Sequence, residues 1–298
     1  MHSLDLAPSD LRILIAVHRE RSFSAAAISL GLTQSAVSHA IRSAERKVGV
    51  VLFDRGRGGA LPTAAGESVV THARRVLRLL ETMGREAQTV ASGQASGVLR
   101  LATFRSAAVY LLPSVLERFS IKHPQVDIEV AIVRDVDRGL AGEVADGKAD
   151  LALATVAPTT EIPASLISAE LFAEPYWLIH PPKLSDLRLL PLITWDENCS
   201  EETKKWLAAQ EWEPPKTIPA ADDSVVLSMV AHGLGFAVMP RLSVANCDSR
   251  IAVQRLDGQT PTRHVGYVTT PEMAPTLAVR EFIRVLRDCL TVPASATL

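Results

Sequence analysis

One side of a predicted helix near the start of the chain carries short hydrogen-bonding and basic side chains. They are Gln34, Ser35, Ser38, His39, Arg42 and Arg46. Gln and Arg can each form two hydrogen bonds with the edge of a base, and Ser can reach a base or a phosphate. Thr33 stands just before this helix, where its hydroxyl can cap the helix and meet a phosphate. These residue types favour contact with a nucleic-acid groove.

Two helices joined by a tight turn would position these side chains. The first carries three consecutive alanines and Leu30, and Gly31 favours the left-handed conformation that ends a helix. In the second, apolar residues recur at steps of three and four and form one stripe: Val37, Ala40 or Ile41, Ala44 and Val48. A steeply crossed pair of this kind fits the DNA major groove. An ordinary helical hairpin whose polar side faces water has the same local pattern.

Capping residues predict where these helices begin. The segment 8–20 reads as a preceding helix with Pro8 in its first turn and a cap at Ser9 or Asp10. Ser22 or Ser24 would cap the next helix. We expect the helix over 8–20 to supply the core beneath the other two.

A glycine-rich segment after these helices predicts a two-stranded wing. Residues 51–53 form a short apolar strand, glycines at 56, 58 and 59 allow a turn, and Ala60 to Pro62 return. Arg55 and Arg57 lie at the tip, where an arginine can enter a narrow minor groove. A loop with solvated arginines is the alternative for this segment alone.

A heptad pattern follows from residue 64 to about residue 90 without an interrupting proline. Its steps alternate between four and three along Val69, Ala73, Val76, Leu80, Met83, Ala87 and Val90. So narrow a seam suits a partner helix from a second copy of the chain. Val70 and Leu77 on a neighbouring face would instead allow the helix to pack on its own domain. The small residues of 91–97, ASGQASG, predict a hinge linker.

Charge and composition limit the partners and the compartment. Residues 1–90 hold 12 Lys and Arg against 8 Asp and Glu, whereas residues 91–298 hold 19 against 25. Only the basic segment 1–90 therefore suits a polyanion. Cys199, Cys247 and Cys289 form no CxxC pair, so no structural zinc site, disulfide framework or cofactor is predicted. Without a signal peptide or an apolar run of membrane-spanning length, we expect a cytoplasmic protein.

The pattern changes from Val98 onward to alternating strands and helices. A β-α-β-α-β order over residues 98–157 predicts a parallel sheet with helices on its faces. A second run of strands and helices begins after Pro163 and closes with a helix over 276–290. The expected fold is multidomain: an α-rich winged helix-turn-helix over 1–63, a linker helix over 64–90, and a two-lobed α/β clamshell over 98–298. Lobe I would comprise about 98–160 and 265–298, and lobe II about 161–264.

These features together resemble the LysR-type transcriptional regulators of bacteria. The amino-terminal motifs are Ala25–Ala26, Thr33–Gln34, Ser38, Gly49, Leu52–Phe53–Arg55 and Thr63–Ala65–Gly66; the carboxyl-terminal segments are LLPSVLERFSIKHPQVDIEV, GKADLALA and VAHGLGFAVMP. Two positions depart from the family pattern, since Ala44 and Pro62 stand where leucine is usual. The resemblance implies a winged-helix DNA-binding domain, a dimerising linker helix, tetramers on an operator and a small-molecule effector bound between two lobes.

Residues after the predicted strands would line the effector cleft, because ligands bind outside the carboxyl ends of the strands in open α/β sheets. They are Phe104, Arg105, Ser106, Arg134, Thr155, Trp195 and Asn198. In the family, the loop after the first strand commonly contacts the effector, and the Ser106 hydroxyl fits that role. Two arginines near helix starts favour a carboxylate effector. Equally, either arginine could pair with Asp135, Asp137 or another acid.

Other functions have weaker support in the sequence. An enzyme would need chemistry that HExxH, GxSxG or P-loop motifs supply, and none occurs; the acidic pairs 201–202 and 222–223 suit helix starts. A transport binding protein shares the clamshell but needs a signal peptide and does not need residues 1–90. A redox sensor based on Cys199 lacks a nearby partner cysteine.

Overall fold

The computed structural model describes residues 5–56, 59–157, 160–183, 186–256 and 260–291. The chain divides into two compact units. The first comprises Met1–Ala91 with Ala145–Lys148, and the second comprises Ser92–Val144 and Ala149–Leu298. We describe each unit by itself.

The first unit is a helical head with a β-ribbon and a long carboxyl-terminal helix. Its elements are α1 (Pro8–Glu20), α2 (Phe23–Leu30), α3 (Gln34–Val48), β1 (Phe53–Gly56), β2 (Gly59–Pro62) and α4 (Ala64–Ser92). Strands β1 and β2 pair in antiparallel fashion. The predicted helix-turn-helix and wing are therefore both present.

Side-chain caps set the limits of the central helices. The Ser22 hydroxyl accepts a hydrogen bond from the Ala25 amide at 3.3 Å, and the Thr33 hydroxyl accepts one from the Ala36 amide at 3.2 Å. Gly31 ends α2 with a φ of 66°. Of the two caps predicted for α1, Ser9 or Asp10, the structure uses Asp10, although Ala7 is the N-cap residue and Pro8 the first helical residue. The Asp10 carboxylate accepts a hydrogen bond from the Ala7 amide at 3.1 Å.

The apolar stripes of α1, α2 and α3 meet in one core. Its buried members include Leu14, Val17, Ala26, Val37, Ile41, Leu52, Phe53 and Val70. The Glu45 carboxylate ties α3 to the start of the ribbon, since Oε1 accepts hydrogen bonds from the amides of Leu52 (2.9 Å) and Phe53 (3.3 Å). The ribbon is also held to α1, because the Ala60 amide donates to the Arg21 carbonyl at 2.8 Å. These bonds fix the ribbon relative to α3.

The long helix α4 has two different halves. Near its start, Val70 and Ala73 are buried in the head core. Further along, the seam residues are exposed in the single chain, with Met83 at 64% and Val90 at 87%. Val76, Leu79 and Leu80 are exposed too. The first half thus packs on its own domain, and the second half presents an apolar face to the surroundings of the chain.

The second unit is an α/β assembly. Its strands are β3 (Gly97–Thr103), β4 (Val126–Ile132), β5 (Leu151–Thr155), β6 (Ile167–His180), β7 (Leu192–Trp195), β8 (Thr217–Ala220), β9 (Ala237–Pro240), β10 (Ala252–Arg255) and β11 (Thr262–Thr269). Its helices are α5 (Arg105–Tyr110), α6 (Leu112–Lys122), α7 (Gly139–Ala145), α8 (Glu201–Ala208), α9 (Asp223–Ala231) and α10 (Leu277–Thr291). Short 3₁₀ turns cover Leu187–Leu189, Asn198–Ser200 and Arg241–Val244.

The main sheet has the strand order β10-β6-β11-β5-β3-β4, with β9 also pairing with β6. Strands β3, β4 and β5 are parallel, as predicted for that segment. Strand β11 is antiparallel to both β5 and β6, so the sheet as a whole is mixed. The first half of β6 was not predicted as a strand, since the segment 167–175 contains small and acidic residues and ends in Pro175. Strand β6 continues from β11 to β9 and β10 and so connects two regions of the unit.

Two separate apolar cores define the lobes of this unit. The first surrounds β3 and β5 and includes Leu101, Phe119, Leu151 and Phe282. The second surrounds β7, β9 and α9 and includes Ile193, Val226 and Met239, with a satellite cluster at Tyr176 and Phe236. Because α5 packs on the first core and α9 on the second, their amino-terminal ends belong to different lobes.

Candidate functional site

Helix α3 presents the polar surface that the sequence predicted. Thr33, Gln34, Ser35, His39 and Arg42 are all exposed. The hydroxyls of Thr33 and Ser35 lie 3.0 Å apart, and Arg42 Nε donates to the Ser38 carbonyl at 3.3 Å. These bonds connect neighbours within the helix and its cap, so the outer edges of the polar groups stay open to a partner.

Ser38 does not belong to this exposed surface, and its predicted placement was wrong. It is 7% exposed and counts among the buried residues of α3 with Val37, Ile41 and Ala44. Ser38 follows Val37 directly, which places it about 100° around the helix, at the edge of the apolar stripe. A side chain this small is covered there by its neighbours. The polar pattern of the sequence did not reveal this, because it does not separate the edge of a face from its centre.

The basic side chains at the carboxyl-terminal half of α3 surround a shallow cavity of about 670 Å³. It is lined by His39, Arg42, Glu45, Arg46, Gly49, Val50 and Val51. Strand β1 places the backbone of Arg55 opposite Ala60. The side chain of Arg55 and the whole of Arg57 lie outside the described residues, so the wing contacts stay predictions. The described surface concentrates hydrogen-bonding and cationic groups around one helix.

In the second unit, the loop after β3 meets a buried ion pair. Arg263 on β11 and Glu174 on β6 stand opposite each other, and Arg263 Nε donates to Glu174 Oε1 at 2.7 Å. The same guanidinium donates to the Ser106 hydroxyl at 3.2 Å and lies 4.5 Å from the centre of the Phe104 ring. Burial alone would lower the pKa of Arg263, but the Glu174 carboxylate raises it overall. Arg263 therefore remains charged and holds the loop in place.

Arg105 lies in the first lobe, and its side chain contacts an acid of the second lobe. Its Nε lies 3.6 Å from Oδ1 of Asp223, at the start of α9, and half of its side-chain surface is exposed. Burial raises the pKa of Asp223, and the neighbouring Arg105 offsets part of that effect. The alternative that an arginine of the predicted cleft pairs with an acid thus holds for Arg105. Asp222, the preceding residue, caps α9 through the amides of Ser224 and Val225.

A third buried acid, Asp135, connects two other predicted cleft residues. Asp135 accepts hydrogen bonds from the Asn198 side-chain amide at 3.1 Å and from the Thr155 backbone amide at 3.3 Å. The Asn198 backbone amide also donates to the Asp135 carbonyl at 2.6 Å. Asp135 therefore brings Thr155 and Asn198 to one place between the lobes.

The remaining predicted residues are less suited to direct contact. Arg134 is exposed and donates through a guanidinium nitrogen to the Asp196 carbonyl at 2.7 Å. Trp195 is buried in the second core, and it also lines an apolar cavity of about 550 Å³ beside α8 and β8. Neither side chain joins the hydrogen bonds around Arg105, Ser106 or Asp135 among the described residues.

Cys199 is an unreactive thiol in this setting. It is buried, its Sγ lies 3.8 Å from a Glu197 carboxylate oxygen to which it donates, and burial raises its pKa to about 12. A thiol with such a pKa stays protonated near neutral pH, whereas oxidation and exchange need the thiolate. The same burial, with Asp223 and Asp135 nearby, raises the pKa of Glu197. These observations disfavour a redox role for Cys199.

Sequence reasoning missed the charged residues that complete the cleft. They are Glu174, Glu197, Asp223 and Arg263. Arg263 and Glu174 meet only because β11 pairs with β6, over a separation of 89 residues. Within the described residues, no group of three or more His, Cys, Asp or Glu side chains could hold a metal ion, and no helix is long and apolar enough to cross a membrane.

An exposed, basic recognition helix beside a ribbon, followed by a two-lobed α/β unit, defines a regulator that binds DNA and senses a small molecule. Residues 8–67 match the family described as the bacterial regulatory helix-turn-helix protein, lysR family, and residues 92–290 match the LysR substrate binding domain. The chain belongs to the LysR family of transcriptional regulators. It is a DNA-binding transcriptional regulator with an effector-binding domain.

Relatives and solved structures agree with this assignment. The probable HTH-type transcriptional regulator LrrA of Synechococcus elongatus is 34% identical over 254 residues, which cover 83% of this chain and 85% of the relative. ArgP from Mycobacterium tuberculosis has a similar fold, with a TM-score of 0.72 at 20% identity and coverage of 97% and 98% of the two chains. Full-length CbnR complexed with its target DNA gives a TM-score of 0.67 at 20% identity, covering 95% and 100%. The relatives are transcriptional regulators rather than enzymes.

Proposed function

We propose that α3 enters the major groove of a promoter duplex and that Gln34, Ser35, His39 and Arg42 contact bases or phosphates there. Their exposure on one helix supports this assignment. Thr33 lies at the helix start, where backbone amides favour a phosphate. Arg55 and Arg57 of the wing would reach the neighbouring minor groove. Buried Ser38 is left out of the contact set and acts through packing.

The DNA duplex upstream of the protein's own coding region is the first binding site to test. Replacing Gln34 or Arg42 by Ala should weaken binding roughly 10- to 100-fold, as expected for the loss of a bidentate contact. Fluorescence anisotropy with the full chain measures this. Arg188→Ala removes an exposed arginine that pairs with Asp186 in the second unit, and it should change little. Unchanged affinity in both head variants would contradict the contact assignment.

We also propose that the exposed half of α4 forms a homodimer, and that dimers assemble further into tetramers. The apolar seam that includes Val76, Leu80, Met83 and Val90 is exposed in the single chain and is continuous along one helix. Dimers suit two operator half-sites. The proposed limits are 1–63 for the head, 64–90 for this helix, 91–97 for the hinge and 98–298 for the effector domain, in a cytoplasmic protein.

Charge placed in the seam tests the dimer. Met83→Glu should weaken dimerisation at least tenfold, because two like charges would face each other in an apolar interface. Sedimentation equilibrium measures the dissociation constant. Leu189→Glu is the matched control, since Leu189 is 70% exposed and lies in the second unit. Equal association of the two variants would argue against the seam.

The effector is proposed to bind between the lobes, near Phe104, Arg105, Ser106, Thr155 and Asn198. Arg105 is the suitable cation for a carboxylate, because Arg263 already bonds to Glu174 and Arg134 to a carbonyl. Footprinting of the promoter with added carboxylates identifies a response. Arg105→Ala should abolish that response and spare DNA binding. A normal response in this variant would remove Arg105 from the site.

A further inference from the structure

An exposed cation of the first lobe, Arg105, contacts a buried acid of the second lobe, Asp223. The separation of 3.6 Å between Nε and Oδ1 exceeds hydrogen-bond length. Asp223 is 8% exposed, and its Oδ1 makes no hydrogen bond to any described residue. A buried carboxylate oxygen without a donor is unfavourable, so this side of the cleft has unused capacity for a hydrogen-bond donor.

Negative charge exceeds positive charge around this contact. Asp135 uses its carboxylate to bind amides, and Glu174 is paired with Arg263. The ion pair of Asp223 is the long contact with Arg105, and Glu197 has no ion-pair partner among the described residues. Burial raises the pKa of Glu197, and the Asp223 carboxylate raises it further. The cleft therefore lacks one positive charge near Asp223 and Glu197. It can also accept one anion at Arg105.

A ligand with a single charge would leave either Asp223 or Arg105 without its partner of opposite charge. A carboxylate bound to Arg105 withdraws the cation from Asp223 and brings a second anion to a buried one. An amine bound to Asp223 withdraws the anion from Arg105. A molecule that carries both groups replaces both partners at once, since its carboxylate takes Arg105 while its ammonium donates to Oδ1 of Asp223, which lacks a donor in the described part of the chain.

From this we propose that the effector is a zwitterion of the free amino acid type, with its carboxylate on Arg105 and its ammonium between Asp223 and Glu197. This inference rests on the proposed ligand cleft and specifies the class of molecule that fills it. The ammonium supplies the donor that Asp223 Oδ1 lacks and the positive charge that Glu197 lacks. Binding would connect α5 of one lobe to α9 of the other through the ligand.

The first experiment measures binding to the free full-length protein, without DNA. The twenty standard amino acids are tested at millimolar concentration by thermal shift, and the best is quantified by calorimetry. Its decarboxylated amine and its deaminated acid follow as probes. At least one amino acid should bind, and both analogues should bind at least tenfold more weakly. No binding by any amino acid, or an analogue that binds as well as its parent, would overturn the inference.

Substitutions of Asp223 and Arg105, each tested with the amino acid and with its deaminated acid, show which residue binds the ammonium and which binds the carboxylate. Asp223→Asn should reduce the affinity for the amino acid at least tenfold while improving that for the deaminated acid, because the repelling charge is gone. Arg105→Gln should reduce the affinity for both. Asp248→Asn, which removes an exposed carboxylate paired with Arg250, is the matched control and should leave binding unchanged. An equal loss for both ligands in Asp223→Asn would count against the assigned role.

Operator binding separates this inference from the proposed function. A chain that binds its promoter and responds to a carboxylate without an amine would refute the zwitterion and leave the regulator intact. Amino acid binding is measured on the free protein, so its result stands whatever the duplex shows.

Discussion

The head carries its polar and charged side chains on an exposed surface, whereas the cleft carries charged side chains that are buried. On α3, the polar residues proposed to contact DNA are exposed and need no partner, because water solvates them until a polyanion replaces it. In the cleft, Arg263, Glu174 and Asp135 are buried and are compensated within the protein, whereas buried Asp223 keeps one oxygen without a donor among the described residues. A surface site can thus be assembled from one helix and its cap. A buried site requires several strands and loops to bring opposite charges together.

This difference predicts where substitutions affect folding and where they affect only binding. Charges in the cleft contribute to the stability of the second unit, since removing one partner leaves the other buried and uncompensated. Polar residues on α3 should contribute little to stability. Within the head, the exception is Glu45, whose carboxylate bonds to the backbone.

The largest effect is expected for Arg263→Met. It leaves the Glu174 carboxylate buried without its cation, which should lower the free energy of unfolding of the second unit by about 3–5 kcal/mol. All four tryptophans, at 177, 195, 206 and 212, lie in that unit, so their fluorescence during urea unfolding reports on it alone.

The double variant Arg263→Met with Glu174→Leu is the control. Removing both charges should recover most of the lost stability, because a buried pair can often be replaced by apolar side chains. If the single variant unfolds at the same urea concentration as the unmodified chain, the pair does not stabilise the unit as we infer.

An intermediate effect is expected in the head for Glu45→Ala. The amides of Leu52 and Phe53 lose their acceptor, which should cost about 1–3 kcal/mol. Hydrogen exchange at these two amides should become faster. Glu45→Gln keeps an acceptor and should cost less, and exposed Glu86→Ala should leave the exchange unchanged. Unaltered exchange in Glu45→Ala would show that the ribbon is held by other contacts.

The same contrast explains what the sequence could predict. Local patterns located the three head helices, the ribbon and the cap at Thr33, and they limited the cap of α2 to Ser22 or Ser24, because these features depend on neighbours within a few residues. They misplaced Ser38, since the limits of a helix face depend on what packs beside it. The segment 167–175 was missed because its strand is stabilised by pairing with β11 rather than by its own pattern. Asp223 was read as a helix-start residue, and only the packing of two lobes places it beside Arg105.

The smallest effect is expected for Glu197→Gln, and it depends on pH. Burial raises the pKa of Glu197 above its ordinary value of about 4.5. A carboxyl group with a raised pKa stabilises the fold below its unfolded pKa, and that stabilisation is lost as the pH rises through the folded pKa. The glutamine variant lacks this loss. Its free energy of unfolding should therefore equal that of the unmodified chain near pH 4 and exceed it at neutral pH, by less than about 1 kcal/mol because Glu197 is only partly buried.

Urea unfolding followed by tryptophan fluorescence at a series of pH values measures this difference. Glu211→Gln, an exposed site in the same unit, should follow the unmodified chain at every pH. A constant difference across the pH range would show that the introduced glutamine acts through packing. A difference that grows with rising pH would instead identify Glu197 as a carboxylate whose charge the unliganded cleft does not compensate.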